Sequence, residues 1–510
     1  MTRAAAFLLP LLTVAVLTAA APTERVLVAL RAGATDAAAQ VAAADATLVD
    51  AHLRLWETDA TVAHAVGDAA LIVQPVRSYA PTALSGVGVD PLSGNEWWRA
   101  AIAVDGLDPP GPGVPITIVD SGVDFAHPEF AGRPDFTALN EQEPAPLGGE
   151  HGTNVASVIG APENGAGIVG VYPRAIIRSW DAAKGSGRRL DTIEIVGGIL
   201  AAARLGPGVI NLSLGGDRDL VIELAVEEAT ARGTLIVAAS GNMGDVADVA
   251  LGYPAVLPRV LTVGSVDRDD DVSSFSSRSR YVDVAAPGAG IFVASALTKD
   301  WLAVSGTSVA APLVSGAAAW IWTVRPELDA SQLAEVLRLS ARDVGPPGRD
   351  VETGFGVINV RAALALAAPP RDAQEPNDDA EYVDPDGDRY YTDAPPLTAP
   401  GRPFGTVSAT TDRWEDPRDL YRVWIPARRT LTLTAVASTD VNLALFPTEA
   451  LTVVGKPALA DRLAFGRHRG ASERLVFANP AAKGRWAHIV VTLPQGSQRA
   501  SYTLEARTAR

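Results

Sequence analysis

Between residues 95 and 370 the chain alternates short apolar strand-like segments with helical ones. Residues 114–119, 208–213, 233–238 and 260–264 are apolar runs of strand length, rich in Val, Ile and Leu, and they lack the polar alternation of a half-wet strand. Residues from 153 to 159 begin a helix, and 310–324 form an Ala-rich helical run. A strand that is apolar on both faces must be covered on both, and strands alternating with helices achieve this as a parallel sheet. The fold class expected for 95–370 is therefore α/β with a doubly wound parallel sheet. Its chemistry belongs at the C-terminal ends of the strands. Asp120 and Asn242 stand just beyond two such ends.

The flanks differ from this region. The chain has 510 residues, 47% of them hydrophobic, which is enough for about three domains. Residues 1–21 carry Arg3, an apolar run and small residues before Pro22. This reads as a signal peptide cut after Ala20 or Ala21, giving a secreted protein with no membrane anchor after processing. The alternative, a retained anchor, has against it a short apolar run interrupted by Pro10 and no basic cluster behind it. No other stretch is expected to span a bilayer. Residues 22–80 read as a small α+β unit, with strands near 25–31 and 70–75 and a helix near 35–46. Residues 371–394 hold nine carboxylates against Arg371 and Arg389, the composition of a solvated linker. From 395 to 510 short strands near 420–425, 430–435, 441–446, 486–492 and 502–506 are separated by turns, which suggests an antiparallel β-sandwich. The net charge of −16 excludes nucleic acid and anionic membrane as partners. The absence of cysteine excludes disulfides.

Three separated segments carry residue types suited to nucleophilic catalysis: 119–123 with Asp120, 151–155 with His151 and 306–312 with Ser308. A hydroxyl attacks a peptide carbonyl at neutral pH only if a base takes its proton. His151 has that basicity, and an aspartate would fix its tautomer and stabilise the imidazolium. Ser308 precedes a helix, so its backbone N–H is placed to meet an oxyanion. Each residue also has a plain structural reading: a turn Asp, a helix-opening His, an N-cap Ser, a turn Asn at 242.

The order Asp, His, Ser, with Ser240-Gly241-Asn242 between the last two, resembles the subtilisin-like serine peptidases, family S8, over roughly residues 95–368. The resemblance implies an endopeptidase with Asp120, His151 and Ser308 as triad and Asn242 as oxyanion donor. It implies Gly185, Ser186 and Gly187 on one side of an extended substrate, with Ser213, Leu214 and Gly215 on the other. Ala239 and Gly241 would form pocket walls, and Gly252 the pocket base. These walls are small and uncharged, so large apolar side chains are expected on the acyl side of the cut. Residues 22–80 resemble an inhibitory, folding-assisting propeptide, released near Tyr79–Ala80, with Leu84 and Asp90 as alternatives. No cofactor is required for the chemistry. A structural calcium ion is implied at the loop 162–168, with Asn164 and Glu129 as ligands, although Glu stands where the family has Asp. The region 395–510 resembles the bacterial pre-peptidase C-terminal domain. Two other readings stay open: a non-catalytic binding protein on the same fold, and an esterase using the same triad.

Overall fold

The computed structural model describes residues 25–510 apart from 32–33, 45, 52, 76–77, 82–84, 89–94, 131–132, 143–149, 165–166, 184–188, 245–251, 372–373, 375–376, 378–394, 414–415, 451–452, 454–460, 467, 469 and 510. The expected signal peptide and most of the acidic linker lie outside the described residues. So do Gly185, Ser186 and Gly187.

The chain divides into Met1–Pro75 and Val76–Arg510. In the first unit four antiparallel strands run in the order Thr47–Asp50, Leu55–Asp59, Arg25–Leu30, Ala70–Pro75. Alternate residues Val26, Val28 and Leu30 form one apolar cluster with Ala37 and Val41 of the helix Thr35–Ala42 and Ala63 of the helix Ala60–Ala65. Asp59 caps the latter by accepting the N–H groups of Thr61 and Val62 at 2.8 and 3.0 Å.

The second unit is built on seven parallel strands in the order Val284–Pro287, Val260–Val266, Leu235–Ala239, Val209–Leu212, Ile116–Asp120, Ile177–Asp181, Phe136–Ala138. The four apolar runs of the sequence all contribute strands to it, and those strands are buried throughout. Strand periodicity sorts the two faces. Ile116 and Ile118 join a large core with the helices Glu150–Gly160 and Thr307–Val324. On the alternate face, Val119 meets Gly198 of the helix Thr192–Arg204, where an added Cβ would lie 2.8 Å from its side chain. The sheet is thus covered on both sides.

The helix Thr307–Val324 is by length and composition able to cross a membrane, contrary to the expectation that no such stretch follows the N-terminus, but 89% of it is buried inside the fold. It serves as the core helix on which the parallel sheet packs.

Among the described residues beyond 395, eight strands form two antiparallel sheets. One runs Phe404–Asp412, Arg499–Ala509, Thr430–Ala437, Ser472–Ala478, and the other Arg418–Ile425, Arg485–Thr492, Asn442–Pro447, Ala464–Gly466. Leu431, Leu433 and Leu504 of the first sheet share an apolar cluster with Val423, Leu443 and Ile489 of the second. At the edge of this region Arg499 forms an ion pair with Glu335 of the helix Ala330–Leu339.

Candidate active site

Asp120 is the last residue of the central strand Ile116–Asp120 and is fully buried. Its Oδ1 accepts the N–H of Ser121 at 2.6 Å. Both carboxylate oxygens stand 2.8 Å from His151 Nδ1. That contact places the proton on Nδ1 and leaves Nε2 as the basic nitrogen. Nε2 is buried and has no hydrogen-bond partner among the described residues.

The approach of His151 depends on its neighbour. The helix begins at Glu150, so His151 lies in its first turn, one residue before Gly152. A Cβ on Gly152 would sit 2.2 Å from the Gly122 carbonyl oxygen. Only a residue without a side chain lets the helix start come this close to the turn after Asp120. Ser121 Oγ accepts the Gly152 N–H at 3.2 Å and ties the two segments together. Gly122 has φ +79°, a left-handed conformation favouring glycine. On the far side Asn154 donates to the Ala294 carbonyl at 2.7 Å, so this residue anchors the helix and takes no part in the triad.

Ser308 is the second residue of the helix Thr307–Val324, with Gly306 at the N-cap, whereas the sequence reading placed it before a helix running from 310. The start of this helix is held from two sides. Ser213 Oγ donates to the Ser308 carbonyl at 3.0 Å, Asn211 Nδ2 donates to Ser213 Oγ at 3.0 Å, and Ser315 Oγ donates to Asn211 Oδ1 at 2.8 Å. All of these side chains are buried. On the other side Thr307 donates to Asn242 Oδ1 with its N–H at 2.9 Å and its hydroxyl at 2.8 Å, and its hydroxyl accepts the Gly241 N–H at 3.1 Å. With Oδ1 held as the acceptor, Nδ2 is the donor end of the Asn242 amide. Thr307, Asn211 and Ser315 were not singled out in the sequence. Thr307 was the most legible, because a hydroxyl beside the nucleophile at a helix start can bond to the neighbouring loop.

The expected substrate-binding residues are partly brought together. Leu214–Gly215 is an edge strand, paired antiparallel with Pro81 and Ala80. Gly252 packs against this edge: a Cβ there would meet Gly216 N at 2.9 Å and Gly215 Cα at 3.0 Å. Gly216 and Tyr253 exchange backbone hydrogen bonds of 3.1 and 2.8 Å. Ala239 ends its strand, and Gly241 follows with φ +102°. On the opposite side, Leu190–Asp191 pairs with Tyr79 and Ser78, and Gly185, Ser186 and Gly187 lie outside the described residues. Those glycines were assigned from the resemblance alone. The strand lies immediately before the helix that Asp191 caps.

At the expected metal loop, Glu129 is buried. Its Oε2 accepts Trp301 Nε1–H at 2.5 Å and the Ile168 N–H at 3.3 Å, whereas Oε1 is buried without a partner among the described residues. Burial pushes this carboxyl up to about 7, against the lowering effect of the two donors. Glu96, which the sequence reading did not pick, accepts the adjacent Val169 N–H at 2.6 Å, and burial raises its carboxyl as well. Asn164 is on the same loop and is exposed. Among the described residues no cluster of three or more His, Cys, Asp or Glu side chains could by itself hold a metal.

Comparison with known proteins bears on the whole arrangement. The subtilase family model matches residues 111–356. Subtilisin DY of Bacillus licheniformis is 34% identical over 255 residues, covering 50% of this chain and 91% of its own. Thermitase of Thermoactinomyces vulgaris is 39% identical over 214 residues, covering 41% of this chain and 74% of its own. Among solved structures, fervidolysin from Fervidobacterium pennivorans, a keratinolytic enzyme related to subtilisin, matches with a TM-score of 0.60 at 19% identity, over 91% of this chain and 92% of that one. At that identity the likeness concerns the fold alone.

Proposed function

The chain belongs to the subtilase family and is a subtilisin-like serine endopeptidase, and we propose that it cuts protein substrates through an acyl-enzyme on Ser308. In this reading His151 Nε2 takes the Ser308 proton as Oγ adds to the scissile carbonyl, and Asp120 stabilises the resulting imidazolium. Asn242 Nδ2 and the N–H at the start of the helix Thr307–Val324 receive the oxyanion. His151 then hands the proton to the leaving amine, and water hydrolyses the ester by the same steps in reverse. The observation that carries this reading is the buried Asp120 carboxylate, with both oxygens 2.8 Å from Nδ1 while Nε2 remains unpartnered. A carboxylate held this way serves little purpose in a merely structural histidine.

The substrate enters extended, because Leu214–Gly215 and Leu190–Asp191 are strands that pair with an extended segment, Ser78–Pro81, lying between them. This favours peptides over small esters. Large apolar side chains are preferred on the acyl side: the pocket segments around Ser213, Ala239 and Gly252 are small and uncharged. The enzyme is secreted, and residues 22–80 act as an intramolecular inhibitor whose last residues occupy the cleft. The pairing of Ser78–Pro81 between the two edge strands supports this. The region after 395 is an accessory β-sandwich.

The donor set near 162–168 fits calcium, which takes oxygen ligands. Glu129 keeps a buried, unpartnered Oε1, and Glu96 approaches the same backbone stretch. Glu129, Glu96 and Asn164 would hold the ion, and it would brace the loop without entering the chemistry.

Casein digestion and a peptide library test the activity and the specificity. Faster cleavage after Arg than after Phe or Leu would overturn the pocket assignment, and activity on small esters but not on casein would overturn the substrate class.

A further inference from the structure

A hairpin reaches from the nucleophile to the helix of the histidine. Its second strand, Trp301–Ser305, runs into Gly306, Thr307 and Ser308. Its first, Ile291–Ala294, pairs with it antiparallel, Ala294 opposite Trp301 and Ile291 opposite Val304. The turn between them is closed by its own backbone. Ser295 N–H donates to the Asp300 carbonyl at 2.8 Å, and Lys299 N–H donates to the Ser295 carbonyl at 2.9 Å.

This hairpin is fastened to the helix Glu150–Gly160 through three of its side chains. Glu150, immediately before His151, accepts the Ser295 hydroxyl on Oε1 at 3.0 Å and the Leu297 N–H on Oε2 at 2.8 Å. Asn154 donates to the Ala294 carbonyl at 2.7 Å, and Ser157 Oγ accepts the Ala294 N–H at 2.9 Å. Spacings of four and three residues put these side chains in one row along the helix. The turn also reaches the third catalytic segment. Lys299 pairs with Asp124, whose N–H donates to Thr153 Oγ1 at 2.9 Å. Asp124 follows Asp120 by four residues, so one hairpin touches every segment that carries a triad residue.

The start of the Ser308 helix is held independently, by Ser213 and by the bonds of Thr307 to Asn242. The element still to be placed is the helix of His151. Its Val155 and Ile159 share an apolar core with Val309 and Leu313 of the Ser308 helix. Apolar contact is non-directional and does not fix a helix along its axis. Hydrogen bonds do. We propose that Glu150 is a positioning residue for the triad: gripping the turn between Ala294 and Trp301 with both carboxylate oxygens, it fixes the helix start that bears His151 against the hairpin that ends in Ser308. Lys299 extends the grip to the Asp120 segment. The role calls for a carboxylate, because two donors converge on it, one on each oxygen. An amide of the same size has one acceptor oxygen, and its NH₂ would face the second donor. Asn154 and Ser157 hold the helix further along; of the three, Glu150 adjoins His151. The inference rests on the reading of Ser308 as nucleophile and His151 as its base.

The test compares Glu150→Gln, Ser295→Ala and the double variant with the wild-type enzyme, well below their melting temperatures. It reads kcat and KM on a small peptide, and the rate at which a fluorophosphonate labels Ser308. Glu150→Gln should lower kcat by about 10-fold with KM little changed, and slow labelling in proportion. Ser295→Ala should lower kcat by about 3-fold or more, and the double variant should be little worse than Glu150→Gln alone, because both changes break one clamp. Glu150→Ala should cost on the order of 100-fold, the effect of a displacement of about 1 Å at a reacting group. A wild-type kcat in Glu150→Gln with only a lower melting temperature would make the contact structural and overturn the proposal. So would a raised KM at unchanged kcat, or a double variant whose loss is the product of the two single losses. If the Glu150 variants do not fold, Ser295→Ala decides alone, since it leaves the Leu297 bond in place. Failure of the underlying reading looks different: Ser308→Ala would keep its turnover and the label would fall elsewhere, whatever stands at position 150.

Discussion

Thr307 holds Asn242 by its carbonyl end, donating both its N–H and its hydroxyl to Oδ1 at 2.9 and 2.8 Å. The residue before the nucleophile thus sets the orientation of the amide that would receive the oxyanion. Asn242→Ala should lower kcat by roughly 100- to 1,000-fold, the range known for removing such a donor in a subtilisin. Thr307→Val keeps the backbone bond but loses the hydroxyl, and should lower kcat by about 10-fold with KM little changed. Thr307→Ser should restore it. Equal loss in the Ser and Val variants would assign Thr307 a packing role instead.

Gly152 is the second test of geometry. A methyl group there would meet the Gly122 carbonyl at 2.2 Å, so backbone must move. Gly152→Ala should part His151 from Asp120 and reduce kcat/KM on the order of 100-fold, the effect of a displacement of about 1 Å at a reacting group. A variant with wild-type kinetics would show that the close approach does not position the histidine.

Much of this was legible in the sequence, for physical reasons. Four apolar runs could be nothing but doubly covered strands, and the triad residues fall where strand ends and helix starts meet. What escaped was whatever depends on register. The strand Leu190–Asp191 escaped because nothing in its composition marks it as the partner of Ser78 and Tyr79. Glu96 escaped because nothing in the sequence indicates that it reaches the Val169 N–H, 73 residues away. The strand Phe404–Asp412 was passed over because its outward face is polar and its pattern weak.

Calcium provides a third prediction. EDTA should lower the melting temperature, added calcium should restore it, and Glu129→Gln should abolish the difference while keeping an acceptor for Trp301. An unchanged melting temperature in EDTA would remove the ion from this loop.

The region after 395 should be dispensable for chemistry but not for stability. A chain ending near residue 368 should cleave small peptides at close to the wild-type rate, since no triad residue lies beyond Ser308. It would also lose Arg499, which pairs with Glu335. Glu335 in turn bonds Arg338 at 3.1 Å, and Arg338 bonds the buried Asp283 at 2.9 Å. Arg499→Ala should therefore destabilise by about 1–3 kcal/mol, an estimate between those for exposed and buried pairs. Differential scanning calorimetry decides this. A folded truncation without small-peptide activity would instead place part of the active site in the β region.

The identity of the nucleophile is tested most directly by labelling the mature enzyme with a fluorophosphonate and locating the adduct by peptide mass spectrometry. The adduct should be on Ser308 alone. It should require His151, and be absent from Ser308→Ala, which should also accumulate as uncut precursor and digest no casein. A label on another serine, or casein turnover near the wild-type rate in Ser308→Ala, would contradict the assignment of Ser308.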